Sequence, residues 1–182
     1  MGNATRRGLR EWLLDPFKCW FNVGHAKWMK CDADEPTQPM RTHLSFVDSY
    51  ICGNDIAGIS IPYGQYHLVQ LNSCHSAGQD WGDLDLSIAQ AFSISFGAES
   101  AFIGWCHGYG DWDYFLGIPY NRLNGSGWTN DFWTLFGEPG YPLEWAETES
   151  LLPAGRYWWL TDDMHDYLVN VGYPYVMIDD LR

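Results

Sequence analysis

The stretch from His67 to Trp105 constrains the fold more than any other part of the chain. His67–Asn72 is an apolar run of strand length, Ser73–Gly82 is polar, and Leu84–Phe96 carries apolar residues at 84, 88, 91, 92 and 96. That spacing marks one face of a helix, and Gly97 stands where a C-terminal cap belongs. Ala101–Trp105 is again short and apolar. Strand, helix and strand in this order require a crossover, because parallel strands cannot be joined by a tight turn. The expected architecture is therefore α/β, a mainly parallel sheet flanked by helices.

The flanks fit a single domain. Leu9–Leu14 reads as a short helix ended by Pro16, so residues 1–16 form a lead-in and 17–182 the domain. Phe17–Val23 reads as a strand that runs into Gly24-His25, and Lys30–Arg41 as a loop broken twice by proline. Leu44–Ile51 alternates apolar and polar residues as a strand does, and Asp55–Ile61 suggests a short helix or extended segment. Cys106–Gly127 is rich in glycine, aspartate and aromatics and is expected to be a long loop. Asp131–Phe136, with Asp131 as its cap, and Pro142–Glu149 are helical candidates. Asp162, Asp163 and Asp166 mark a possible helix start in the tail, and Tyr173–Ile178 a final strand.

Composition narrows the partners. A net charge of −13 and a pI near 4.5 repel phosphate backbones and anionic lipid, so neither nucleic acid nor membrane is expected, whereas cationic peptides are attracted. The five cysteines lack the paired spacing of a zinc ribbon, and His25, Cys31, His43 and Cys52 match no common ligand pattern, so no metal and no cofactor is expected. Met1-Gly2-Asn3-Ala4-Thr5-Arg6 departs from a myristoylation signal at position 6. Glu11–Pro16 is too short and too charged for the apolar core of a secretory peptide, and no run is long enough to span a bilayer. A soluble, cytoplasmic protein is the expectation.

Two strand ends carry candidate chemistry. The run Leu68-Val69-Gln70-Leu71-Asn72-Ser73-Cys74 delivers a cysteine at the end of an apolar strand, and Cys19–Gly24 delivers His25 in the same way. In open parallel sheets reactive groups gather at the carboxyl ends of strands, so thiol and imidazole would meet there. An imidazole beside a cysteine stabilises the thiolate and returns a proton to a leaving amine, the requirements of nucleophilic acyl transfer. The same two residues would also serve as a buried apolar thiol and a strand-end histidine in a protein without catalytic chemistry.

The run Phe21-Asn22-Val23-Gly24-His25-Ala26 resembles the histidine element of the caspase, gingipain and separase group of cysteine peptidases. Leu68–Ala77 is similar to that group's nucleophile strand. In order behind it, Leu86–Phe92 and Phe96–Trp105 resemble the helix and strand that follow the cysteine in gingipain-like and CHAT-type members, and Asp131–Gly137 and Leu143–Ala146 resemble later helices. The resemblance covers about residues 18–150 and implies a caspase-haemoglobinase-like three-layer sandwich. It implies a cysteine endopeptidase acting on a peptide or protein substrate, with Cys74 as nucleophile and His25 as base and acid. The backbone N–H groups of Cys74 and of Gly24 or Ala26 would then bind the oxyanion. Ala26 stands where the group has glycine, and fewer strands precede His25 than in complete members. Asp48, Asp55, Asp111 and Asp113 are the candidates for pairing with a basic residue before the scissile bond, as in gingipain-like relatives.

Two other readings compete. Cys74-His75-Ser76-Ala77-Gly78 departs at its first position from the serine elbow of α/β-hydrolases, with Ser76 as nucleophile and His165 and Asp131 completing the triad. A catalytically degenerate domain would instead use the aromatic-rich region Trp105–Trp133 to bind a protein or glycan. Cys106 and His107 are adjacent on one strand, so they point to opposite faces and do not form a pair with each other.

Overall fold

The computed structural model describes residues 6–30, 37–94, 99–106, 114–115, 118–119, 125–151 and 168–181. Its principal sheet has four strands, β1 (Cys19–Val23), β5 (Leu68–Asn72), β6 (Ala101–Trp105) and β9 (Leu168–Gly172), side by side in that order. The first three are parallel, and β9 runs antiparallel to β6. All five residues of β5 and of β6 are buried, as expected for central strands covered on both faces.

Side-chain alternation sorts the strands into two cores. Val69, Leu71, Phe102, Val169 and Val171 pack beneath α1 (Arg6–Leu14), α2 (Gly53–Ala57) and α3 (Ser87–Ala91). Leu68, Ala101, Ile103 and Trp105 face the other way, against Phe132 and Phe136 of α4 (Gly125–Phe136) and Leu143 and Ala146 of α5 (Leu143–Leu151). Helices thus cover both faces of a mostly parallel sheet, the three-layer α/β sandwich expected from the sequence.

Helix α1 shows how a short element is held. Leu9 and Leu13, one turn apart, are both fully buried. Its last carbonyls, which have no partner within the helix, accept hydrogen bonds from the Tyr66 hydroxyl (3.1 Å to the Leu13 oxygen) and from the Gln65 amide (2.8 Å to the same oxygen).

Between β1 and β5 the chain folds a second, antiparallel sheet of β2 (Ala26–Lys30), β3 (Met40–Ser45) and β4 (Tyr50–Ile51). The strand expected over Leu44–Ile51 is thus two strands with a turn between them, closed by the Phe46 N–H donating to the Ser49 oxygen at 2.8 Å. Ala26–Lys30, unmarked in the sequence, is a strand because Trp28 and Met29 pair with Thr42 and Arg41 of β3. A further small pair joins β7 (Tyr114–Phe115) to β8 (Ile118–Pro119).

Three other boundaries differ from expectation. Asp131 lies inside α4, which starts at Gly125. The final strand is β9 at Leu168–Gly172, and the expected Tyr173–Ile178 is a loop leading to a 3-10 turn at Ile178–Leu181. Helix α3 covers only the middle of Leu84–Phe96, because Leu84 bridges to Gly78 and Ser93 takes a positive φ of 60°. Gly97 and Asp162, Asp163 and Asp166 lie outside the described residues.

Candidate active site

Strand register sets out the site. Val23 of β1 pairs with Asn72 of β5, so His25 and Cys74 each lie two residues beyond the last pair of two neighbouring parallel strands. Equal offset on parallel neighbours places the two residues at the same step past two adjacent carboxyl ends. Within the strands, Phe21 and Asn72 face α4: Phe21 meets the Trp133 ring edge-on at 5.6 Å, and the Asn72 amide donates to Thr129 Oγ1 at 2.7 Å. His25 is exposed and Cys74 half-buried.

The turn that carries Cys74 is bound on several sides. The Ser76 N–H donates to the Ser73 oxygen at 3.3 Å, and the Ala77 N–H to the Trp105 oxygen at 2.9 Å. His75 takes a left-handed φ of 53°, and its carbonyl accepts from Thr42 Oγ1 of β3 at 2.6 Å. Gly78 closes the turn at φ 130°, where a Cβ would lie 2.7 Å from the Leu84 Cα, so only glycine fits. His25 is held by the same β3 strand, its carbonyl accepting from the Ser45 N–H at 2.8 Å.

This register separates the proposed oxyanion donors. The Gly24 N–H donates to the Asn72 oxygen at 3.3 Å, so it belongs to the sheet and does not face a substrate. Ala26 stands opposite Leu44, one step from the hydrogen-bonded His25 and Ser45, and antiparallel ladders alternate bonded and non-bonded pairs. Its N–H therefore points away from β3.

The other thiols differ in setting. Burial pushes the Cys19 thiol up to about 12, and burial likewise raises that of Cys106. Cys52 is buried at the start of α2. A cavity of about 260 Å³ between α1 and β1 is lined by Leu9, Trp12, Cys19, Trp20, Asn22 and Tyr66. Its two titratable groups in that lining, Cys19 and Tyr66, are both pushed up to about 12, chiefly by desolvation, so neither ionises near neutral pH.

Several sequence candidates take other roles. Ser76 is completely buried, its hydroxyl donating to the Leu71 oxygen and accepting from the Trp105 N–H, both at 2.9 Å. It links β5 to β6 and offers no nucleophile to a substrate. Asp55 takes part in the capping box of α2, accepting from the Cys52 N–H at 3.0 Å. Asp48 is exposed in the turn that follows Ser45, accepting from the Ser49 hydroxyl at 3.2 Å. Asp111, Asp113, His107, Cys31 and His165 lie outside the described residues. Trp105, placed by the sequence in an aromatic binding surface, is 2% exposed and part of the core. Aromatics that do reach solvent include Tyr141, stacked on Trp145 at 3.8 Å, and Tyr173 and Tyr175.

Sequence reasoning missed the contribution of β3. Thr42 lies just beyond the stretch read as a loop and Ser45 within the alternating stretch that follows, and only the pairing with β2 brings them to the two strand ends. Among the described residues no group of three or more histidine, cysteine, aspartate or glutamate side chains is arranged to hold a metal ion, and no helix is long and apolar enough to cross a membrane.

No family model and no curated protein matches the chain. Among solved structures it is similar to the crystal structure of protein GSU0716 from Geobacter sulfurreducens, at 12% identity and a TM-score of 0.48, over 98% of this chain and 77% of that one.

Proposed function

We propose that the chain is a cysteine endopeptidase in which Cys74 is the nucleophile and His25 its base and acid. The observation that supports the reading is the β1/β5 register, whose last pair, Val23 and Asn72, stands two residues before His25 and Cys74 on adjacent parallel strands. In this reading His25 takes the thiol proton, and the Cys74 sulfur attacks the peptide carbonyl. The proton then passes to the departing amine, leaving a thioester that water hydrolyses through a second tetrahedral intermediate. The N–H groups of Ala26 and Cys74 are the oxyanion donors, a contribution of about 3 kcal/mol per donor in well-studied enzymes. Cationic peptides are the preferred substrates, drawn by the net charge of −13, with Asp48, exposed in the turn between β3 and β4, as a candidate carboxylate to meet them.

Limited iodoacetamide labelling followed by peptide mapping tests this. Cys74 should be modified well before Cys19, Cys52 and Cys106, and His25→Ala should slow its labelling at pH 7 at least about tenfold. Hydrolysis of a lysine- or arginine-amide peptide should vanish in Cys74→Ala. Labelling of Cys74 that ignores His25→Ala would overturn the assignment.

A further inference from the structure

One strand outside the principal sheet holds both halves of the proposed site. Strand β3 reaches His25 through the Ser45 N–H and reaches the Cys74 turn through Thr42, whose hydroxyl donates to the carbonyl of His75 at 2.6 Å. Thr42 is itself completely buried and fixed. It stands opposite Trp28 at a non-hydrogen-bonded position of the β2/β3 ladder, so its N–H points away from β2. The short β4 pairs only with Leu44 and Ser45 and does not reach that N–H. The acceptor is instead Asp85, at 2.7 Å.

Asp85 is tied in turn to the loop it serves. Its N–H donates to the Ala77 oxygen at 2.9 Å, and its other carboxylate oxygen accepts from the Ser87 N–H at 3.0 Å and from Arg41 at 3.1 Å. The result is a closed circuit: β3 to Asp85 through the Thr42 amide, Asp85 to the 74–77 turn through Ala77, and the turn back to β3 through the Thr42 hydroxyl. His75 sits in the left-handed region, at φ 53°, where an L-residue other than glycine is strained and persists only when its surroundings hold it. The Thr42 bond falls on that residue, immediately after the nucleophile.

We propose that Thr42 is a positioning residue for the Cys74–His25 site. By gripping the His75 carbonyl from the strand that also holds His25, it sets the spacing between thiol and imidazole. The inference rests on the peptidase reading above. Thr42→Val replaces the hydroxyl by a methyl, which cannot approach a carbonyl oxygen at 2.6 Å, so the turn must shift; Thr42→Ser keeps the donor. A displacement of about 1 Å at such a site costs on the order of a hundredfold in rate.

The test is the pH profile of Cys74 alkylation by iodoacetamide, mapped peptide by peptide, in wild type, Thr42→Val, Thr42→Ser, His25→Ala and the Thr42→Val/His25→Ala double variant. Thr42→Val should slow labelling at pH 7 about tenfold or more and displace the midpoint of the profile, which a loss of global stability does not move. Thr42→Ser should follow wild type, and Thr42→Val should add nothing to His25→Ala. Should the valine variant not fold, Thr42→Ala gives the same readout. A wild-type profile that depends on His25 but is unmoved by Thr42→Val, or is moved equally by Thr42→Ser, overturns the role of Thr42 alone. Coincident profiles for wild type and His25→Ala overturn the dyad and this inference with it.

Discussion

Asp85→Ala should lower the unfolding free energy by about 3–5 kcal/mol, read from urea denaturation. The carboxylate is 2% exposed and accepts from the Thr42 N–H, the Ser87 N–H and the Arg41 guanidinium. Alanine leaves the two amides without their acceptor, each costing about 1–3 kcal/mol. Arg41 loses less, because its side chain is 40% exposed and water replaces the carboxylate. The order of effects follows from that division: Arg41→Ala should cost about 1 kcal/mol or less, and Asp85→Asn, which retains one acceptor oxygen, should fall between. If Asp85→Ala and Arg41→Ala were equally mild, the carboxylate would not be joining the small sheet to α3 and the Cys74 turn.

Glu147→Gln should make the protein more stable at pH 7.5 and flatten its stability between about pH 4.5 and 8. Glu147, on α5 and 6% exposed, has its carboxyl pushed from 4.5 up to about 8 by burial. The Asn170 amide, donating to it at 2.6 Å, offsets part of this, and the charge of Glu144 adds to it. In the window between those values the folded protein keeps a proton that the unfolded chain has released. Stability is therefore complete below about pH 4.5 and declines as the pH rises toward 8. The decline amounts to at most about 3 kcal/mol at pH 7. Glutamine has no proton to lose, so its thermal midpoint should be level where the wild type falls. Parallel wild-type and Glu147→Gln curves from pH 5 to 8 would sink this account.

What was legible in the sequence was local and periodic. The β5–α3–β6 succession could be read because a buried parallel strand is a continuous apolar run and a helix has its own spacing. His25 and Cys74 stood out because each ends such a run beside small residues. The secondary sheet was legible only in part: Leu44–Ile51 alternates, but Ala26–Lys30 alternates weakly and β3 begins within the stretch read as a loop, just after Pro39. Those strands exist through their pairing with one another, and pairing partners are not marked in either sequence segment. The same limit applies to Asp55, Asp85 and Ser76: carboxylates and hydroxyls look alike whether they meet a substrate or cap a backbone.

The sequence by itself determined the layer architecture and the two strand ends, because burial on both faces of a central strand demands a short continuous apolar run, and the helical spacing that follows it supplies the crossover. Only the tertiary structure decided which groups around those ends are structural. Whether an N–H points into a ladder or out of it depends on register, and register is a relation between segments distant in the chain. That relation commits Gly24 to the sheet, turns the Ala26 amide away from β3, buries Ser76 between β5 and β6, and brings Thr42 to the residue that follows Cys74.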